Sequence, residues 1–184
     1  MNRAELRTRL ASLNLSDRPQ EKADRERMIE LLDDCRDCFR RETFPAHFTG
    51  SALVVSHDSA RVLLHHHRKL DRWLQFGGHC DGSEDILSVA HREAFEESCI
   101  DGLTPTSDQP FDLDIQEIPA LGAEPAHLHY DVRYLFVAPK GAIGQVSEES
   151  NALRWFTFEE ARSQNLDPGL LRMIERWKEK QWEL

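Results

Sequence analysis

Apolar residues first recur along this chain at helical spacing. Leu6, Leu10 and Leu13 are spaced among Arg, Glu and Thr in the way that predicts an amphipathic helix. Ser16 and Asp17 then offer an N-cap, and Pro19 fits a first helical turn. From Glu21 to Arg41 the residues Met28, Ile29, Leu31, Leu32, Cys35 and Phe39 mark one face, which predicts a second helix. Thr43 to Gly50, with Pro45 inside it, punctuates its end. The pattern then changes to strands. Ala52–Val55 is a short buried-type run, and Arg61–His67 returns after a turn at Asp58 and Ser59. Trp73–Phe76 is a third extended piece. A helix is expected from about Glu84 to Cys99, capped by Ser83 or Asp81. Leu113–Ile118, Leu128–Ala138 and Leu153–Phe158 read as further strands. In the second of these, Tyr130, Val132, Tyr134 and Phe136 share one side, and Leu135 and Val137 lie on the other. A short helix at Phe158–Glu160 and a closing helix at Pro168–Trp182 complete the reading. Strands mixed with helices predict an α/β (α+β) sandwich.

Length and composition narrow the field. The 184 residues suit one domain with an appendage, and 40% hydrophobic residues suffice for a core. No apolar run approaches the ~20 residues that cross a bilayer. The first residues carry no apolar leader, so a cytoplasmic location with no membrane partner is expected. A formal net charge of -10 argues against long nucleic acid, whose phosphate backbone needs a cationic surface. Cys35 and Cys38 form a C-x-x-C with no second pair. Together with Cys80 and Cys99 they read as free thiols in a reducing compartment.

The chemistry concentrates in Gly77–Ile100, GGHCDGSEDILSVAHREAFEESCI. On a helical wheel, Ile86, Val89 and Ala90 share a stripe. Glu93 and Glu97 fall near the middle of that stripe, and Glu96 lies at its edge. Carboxylates on an apolar face cost stability unless something neutralises them. A hard divalent cation does so, and Arg92 can pair with one of them. A solvated acidic helix face is the alternative reading of the wheel.

The spacing Gly78, Glu84, Arg92-Glu93, Ala94, Glu96-Glu97, Ile100 resembles the Nudix box, the loop–helix–loop signature of Nudix hydrolases. One position departs from it, since Cys99 stands where that family usually has Gly. Gly there eases the helix exit, so Cys99 is expected in an αR or otherwise accommodated turn. The strand order from Gly50 onward is similar to the Nudix fold, a mixed sheet between helices. Residues 1–46 are then a helical extension, and 47–184 the Nudix domain.

The resemblance implies hydrolysis of a diphosphate linked to another moiety, in a nucleoside diphosphate derivative or related small molecule. It implies Mg²⁺ or Mn²⁺ as cofactor. It implies Glu93, Glu96, Glu97 and the Gly77 carbonyl as metal ligands, with Glu84 as a nearby additional group and Arg92 orienting a glutamate. Either a box glutamate or a later-loop residue, Glu148 or Glu149, would be the general base. His79, His129, Arg68 and Glu149 are candidates to meet substrate. His65 and His67 share one side of a strand, and His127, His129 and Asp131 share one side of another. These histidines could equally pair with neighbouring carboxylates. Arg68, Lys69 and Arg72 form the basic cluster beside the box. Two other readings compete. One is a Nudix-fold binding or regulatory module without catalysis. The other is an isopentenyl-diphosphate-isomerase-like enzyme, disfavoured because Gly77 stands where that family has a catalytic Cys. The apolar faces of the flanking helices permit a homodimer.

Overall fold

A ten-residue strand, β1 (Ala46–Val55), runs through the centre of the molecule, and every residue in it is buried. The computed structural model describes residues 1–180; Trp182, expected in the closing helix, lies outside them. Two helices precede β1: α1 (Arg3–Ser12) and α2 (Pro19–Asp34). After it come β2 (Arg61–His67), β3 (Arg72–Leu74), β4 (Phe76–His79), α3 (Ile86–Ser98), β5 (Thr104–Pro105), β6 (Asp112–Ile118), β7 (His127–Val137), β8 (Ser150–Thr157), α4 (Phe158–Arg162) and α5 (Pro168–Lys180).

The sheet is mixed. β1 pairs parallel with β7 along its whole length, from Ala46↔Leu128 to Val55↔Val137. Its other edge is shared: β4 pairs antiparallel with Thr49–Ala52, and β2 with Val54 and Val55. β8 extends the sheet beyond β2, and β6 and β5 pair with β7. The sheet is thereby curled, with helices on both faces, as the sandwich reading requires.

Alternation along β1 and β7 divides the core. Phe48, Ala52, Val54, Tyr130, Val132, Tyr134 and Phe136 pack with α1, α2 and α3. Leu53, Val55 and Leu135 pack with Leu170, Met173, Ile174 and Trp177 of α5 on the opposite face. Leu6, Leu10, Leu15, Met28 and Leu32 of the N-terminal helices belong to the first of these clusters.

Several sequence expectations shift. α2 ends at Asp34 rather than Arg41. Arg3 donates to the Leu32 carbonyl at 2.7 Å and to the Cys35 carbonyl at 2.8 Å, which satisfies that helix end. Phe39 then stacks on Phe48 at 5.4 Å between ring centroids. β1 begins six residues before Ala52. Its early polar residues are interior because they find partners: Thr49 and Ser51 both donate to the Asp131 carboxylate, at 3.0 and 2.8 Å. The cap of α3 is Asp85, which accepts from the Ser88 N–H, rather than Ser83 or Asp81. Cys99 adopts the left-handed conformation at φ 54°, ψ 29°, not αR. It therefore takes the backbone shape that favours glycine there.

An ionic network joins the parts, and the sequence reading contains no hint of it. Arg133 on β7 is fully buried. It donates to Asp131 at 2.7 Å, to Asp112 at 3.2 Å and to Asp114 at 2.8 Å. Arg172 of α5 also reaches Asp112 and Asp114, at 2.9 and 3.0 Å. Arg176 pairs with Asp112 at 2.7 Å and with the buried Glu21 of α2. α2 and α5 are thus tied to the same β6–β7 pair. Gly169 admits this approach, because a Cβ there would stand 2.8 Å from Arg133 Nη1 and from Asp114 Oδ2.

Candidate active site

Two glycines bring α3 down onto the sheet, and a third lets β4 lie close against β1. A Cβ on Gly50 would lie 2.8 Å from Ile86 Cγ2 and 2.9 Å from the Ile86 carbonyl oxygen, so β1 and the start of α3 touch through backbone. A Cβ on Gly77 would lie 2.9 Å from Ser51 Cβ. A Cβ on Gly78 would lie 2.6 Å from the carboxylate carbon of Glu93. The Gly77-Gly78 pair is therefore a backbone cradle for the carboxylates of α3.

α3 buries Ile86, Val89, Ala90, Ala94, Glu97 and Ser98, the face expected from the wheel. The side chain of Glu97 is 10% exposed and that of Glu93 16%, whereas Glu96 is 57% exposed at the edge. Glu97 Oε2 accepts the Gly77 N–H at 2.9 Å. Burial pushes its carboxyl up to about 8, opposed by that hydrogen bond and reinforced by the charges of Glu93, Glu149 and Glu96. His65 Nδ1 stands 3.5 Å from Glu97 Oε1 and 2.8 Å from Ser150 Oγ. Burial holds His65 down to about 4, so at neutral pH it brings no positive charge to Glu97.

Glu93 is better compensated. Arg92 Nη2 donates to Glu93 Oε1 at 2.5 Å and to the His79 carbonyl at 3.0 Å. Burial nevertheless raises the Glu93 carboxyl above its usual range. Arg92 Nε also lies 3.9 Å from Glu96 Oε2. One guanidinium thus orders the box glutamates against the strand that carries the glycines.

The other candidates divide. Glu149 immediately precedes Ser150, whose Oγ lies 2.8 Å from His65 Nδ1, and its charge adds to the raising of the Glu97 carboxyl. Arg68 sits beside it: its N–H donates to the Glu149 carbonyl at 2.8 Å, and its guanidinium to the Ser150 carbonyl at 3.3 Å. Glu84 is engaged elsewhere. Its carboxylate accepts the Arg3 N–H at 3.0 Å and lies 3.7 Å from Arg3 Nε, so it contacts the N-terminal helix. His79 and His129 lie together, with rings 5.0 Å apart, among His47 and His127. Phe76 is core, and Trp73 packs edge-on against Phe156. The carboxylate that His65 meets is Glu97, in line with the pairing expected of strand histidines. His47 carries no local signal, because the stretch Thr43 to Gly50 reads as punctuation and its histidine neighbours come from β4 and β7.

All four cysteines are free thiols. No helix among the described residues is long and apolar enough to cross a membrane.

Solved structures share this fold. An Ap4A hydrolase from C. elegans, as a binary complex, aligns with a TM-score of 0.61 at 18% identity over 74% of this chain and 98% of that one. The dihydroneopterin triphosphate pyrophosphohydrolase of E. coli aligns at 0.56 and 18% identity, over 70% and 92%. The NUDIX domain of Shewanella oneidensis NrtR, crystallised with ADP ribose, aligns at 0.52 and 18% identity, over 82% and 96%. No curated protein matches this sequence. The sequence profile of the NUDIX domain matches residues 47–177, and the chain belongs to the Nudix family.

Proposed function

We propose that this protein is a metal-dependent pyrophosphohydrolase that cleaves the diphosphate linkage of a nucleoside diphosphate derivative. The observation that carries the proposal is the state of Glu97. A buried carboxylate with one backbone hydrogen bond, and no Lys or Arg partner among the described residues, is costly to keep ionised. Such a group suits a site completed by a divalent cation.

The donor set fits Mg²⁺ or Mn²⁺, which favour oxygen ligands. Glu93, Glu96, Glu97 and the Gly77 carbonyl would hold the ion, and Arg92 keeps two of these carboxylates in position. When bound, such an ion neutralises phosphate oxygens and makes water more acidic. Arg68 would meet a substrate phosphate, and Glu149 would accept a proton at the mouth of the site. Glu84 joins this set only by leaving Arg3. Residues 1–46 act as a family-specific addition that packs against the domain and steadies the start of α3 through Arg3 and Glu84. The free thiols are in keeping with a reducing cytoplasm. The names of the C. elegans and E. coli neighbours are in keeping with the phosphoanhydride reading.

The test is a panel. The chain is incubated with nucleoside triphosphates, dinucleoside polyphosphates, nucleotide sugars and ADP-ribose, with Mg²⁺, with Mn²⁺ and with chelator, and products are identified by mass. Metal-dependent cleavage of one class supports the proposal and names the substrate. Tight binding of a compound with no cleavage of any favours a regulatory binding module instead.

A further inference from the structure

The histidines form a second cluster that the carboxylate site does not use. His47 on β1, His127 and His129 on β7, and His79 on β4 meet at one end of the sheet. The ligand nitrogens of His47, His127 and His129 lie within 4.8 Å of one another. The His47 ring stands 5.0 Å from that of His127, 4.9 Å from His129 and 5.3 Å from His79. Strand pairing fixes this: His47 is the register partner of His129, and His79 pairs opposite Thr49.

The tautomers can be read from the contacts. A backbone carbonyl only accepts, so the ring nitrogen beside one carries the proton. His47 Nδ1 donates to the Thr43 carbonyl at 3.1 Å, and His127 Nδ1 donates to the Pro125 carbonyl at 2.9 Å. Each ring therefore keeps its Nδ1 proton on the backbone and turns Nε2 into the cluster. Metal-ligating imidazoles are held in this way, by the other ring nitrogen. His47 is fully buried, and its Nε2 has no hydrogen-bond partner among the described residues; the buried Nε2 of His79 has none there either. A buried lone pair without a donor is costly. His127 Nε2 and His129 Nε2 share a hydrogen bond at 3.1 Å, which a bound ion would replace. Nitrogens on a tetrahedral ion with bonds of about 2.0–2.1 Å stand about 3.3 Å apart.

We propose that His47, His127 and His129 bind one late first-row transition ion of the Zn²⁺ type, with the ring of His79 packed beside them. Imidazole nitrogen suits Zn²⁺, Co²⁺ and Ni²⁺, whereas Mg²⁺ and Mn²⁺ prefer oxygen. Glu124, 3.9 Å from His127 Nε2, and Asp81 add favourable charge, and Arg41 opposes it. The site lies on the face of β4 away from α3. Gly78 turns toward Glu93, and His79, one residue on, turns the other way. An ion there clamps β1 to β7, beside the strand that carries Gly77-Gly78. Its role is to hold that backbone rather than to react.

The inference stands apart from the hydrolase reading. The test uses the full chain, stripped of metal by chelator and titrated with Zn²⁺ by calorimetry in millimolar Mg²⁺, and with Co²⁺ by visible absorption. One equivalent of Zn²⁺ should bind despite the Mg²⁺, the Co²⁺ form should show the intense bands of a four-coordinate site, and Zn²⁺ should raise the unfolding midpoint. Saturable binding should be lost in His129→Gln and in His127→Gln. It should persist in the double variant Glu93→Gln, Glu97→Gln. Absence of stoichiometric Zn²⁺ binding by the unaltered chain would overturn the proposal without needing any variant to fold. So would binding that follows the glutamates instead of the histidines.

Discussion

The N–H of Gly77 donates to Glu97 Oε2 at 2.9 Å, and this bond joins the glycine strand to the buried face of α3. It is the main support of a carboxylate that burial drives toward its protonated form. The fold thus keeps an energetically expensive group where chemistry needs it, a pattern common at functional sites.

A stability prediction follows for Glu97→Gln. The folded chain holds a proton on Glu97 from its ordinary 4.5 up to about 8, while the unfolded chain releases it. The folded state then binds more protons, so this group's contribution to stability falls as pH rises through that window. In chelator, Glu97→Gln should lose this downward slope, and it should unfold at a higher temperature than the unaltered chain at pH 8. Thermal unfolding between pH 5 and 8.5 checks it; identical curves would contradict the burial argument.

Gly78→Ala should damage the site with little damage to the fold. The new Cβ would press on the Glu93 carboxylate from 2.6 Å, so the glutamate must move and break its alignment with Arg92. Displacements of about 1 Å cost on the order of a hundredfold in rate. Turnover should fall by about that factor, with the circular dichroism spectrum unchanged.

How much of this was legible from the residues alone depends on range. The carboxylate face of α3 could be read because helical period is local, and Ile86, Val89, Glu93 and Glu97 fall on one stripe whatever lies opposite. β1 was cut short because its polar residues have partners eighty residues away: Thr49 and Ser51 are interior only because Asp131 is there. His47 was missed for the same reason. The Arg133 network was invisible because its members, Glu21, Asp112, Asp131, Arg172 and Arg176, are scattered along the chain. α2 was drawn too long because Cys35 and Phe39 continue its apolar spacing, while the contact that stops it comes from Arg3.

Arg133→Met should be strongly destabilising. It would remove the guanidinium paired with the buried Asp131 and shared with Asp112 and Asp114, leaving those two to Arg172 and Arg176. Breaking such an arrangement typically costs about 3–5 kcal/mol. Urea unfolding should show a loss of that size; a loss under about 1 kcal/mol would mean that Arg172 and Arg176 suffice.

Cys99→Gly should stabilise. Cys99 holds φ 54° at the end of α3, a conformation that a side chain disfavours by roughly 1 kcal/mol. Glycine recovers part of this and restores the residue usual in the box. The unfolding midpoint should rise by about 2–4 °C; a fall would show that the Cys99 side chain contributes packing that outweighs the backbone strain.

The central claim is that the glutamates of α3 hold a divalent cation on which hydrolysis depends. Its most direct test is the rate of phosphoanhydride cleavage against Mg²⁺ concentration, for the unaltered chain and for Glu97→Gln. The account predicts a saturable rise with Mg²⁺ that chelator abolishes, and a loss on the order of a hundredfold or more in Glu97→Gln with the fold retained. Cleavage that persists in chelator, or near-normal turnover in Glu97→Gln, would contradict it.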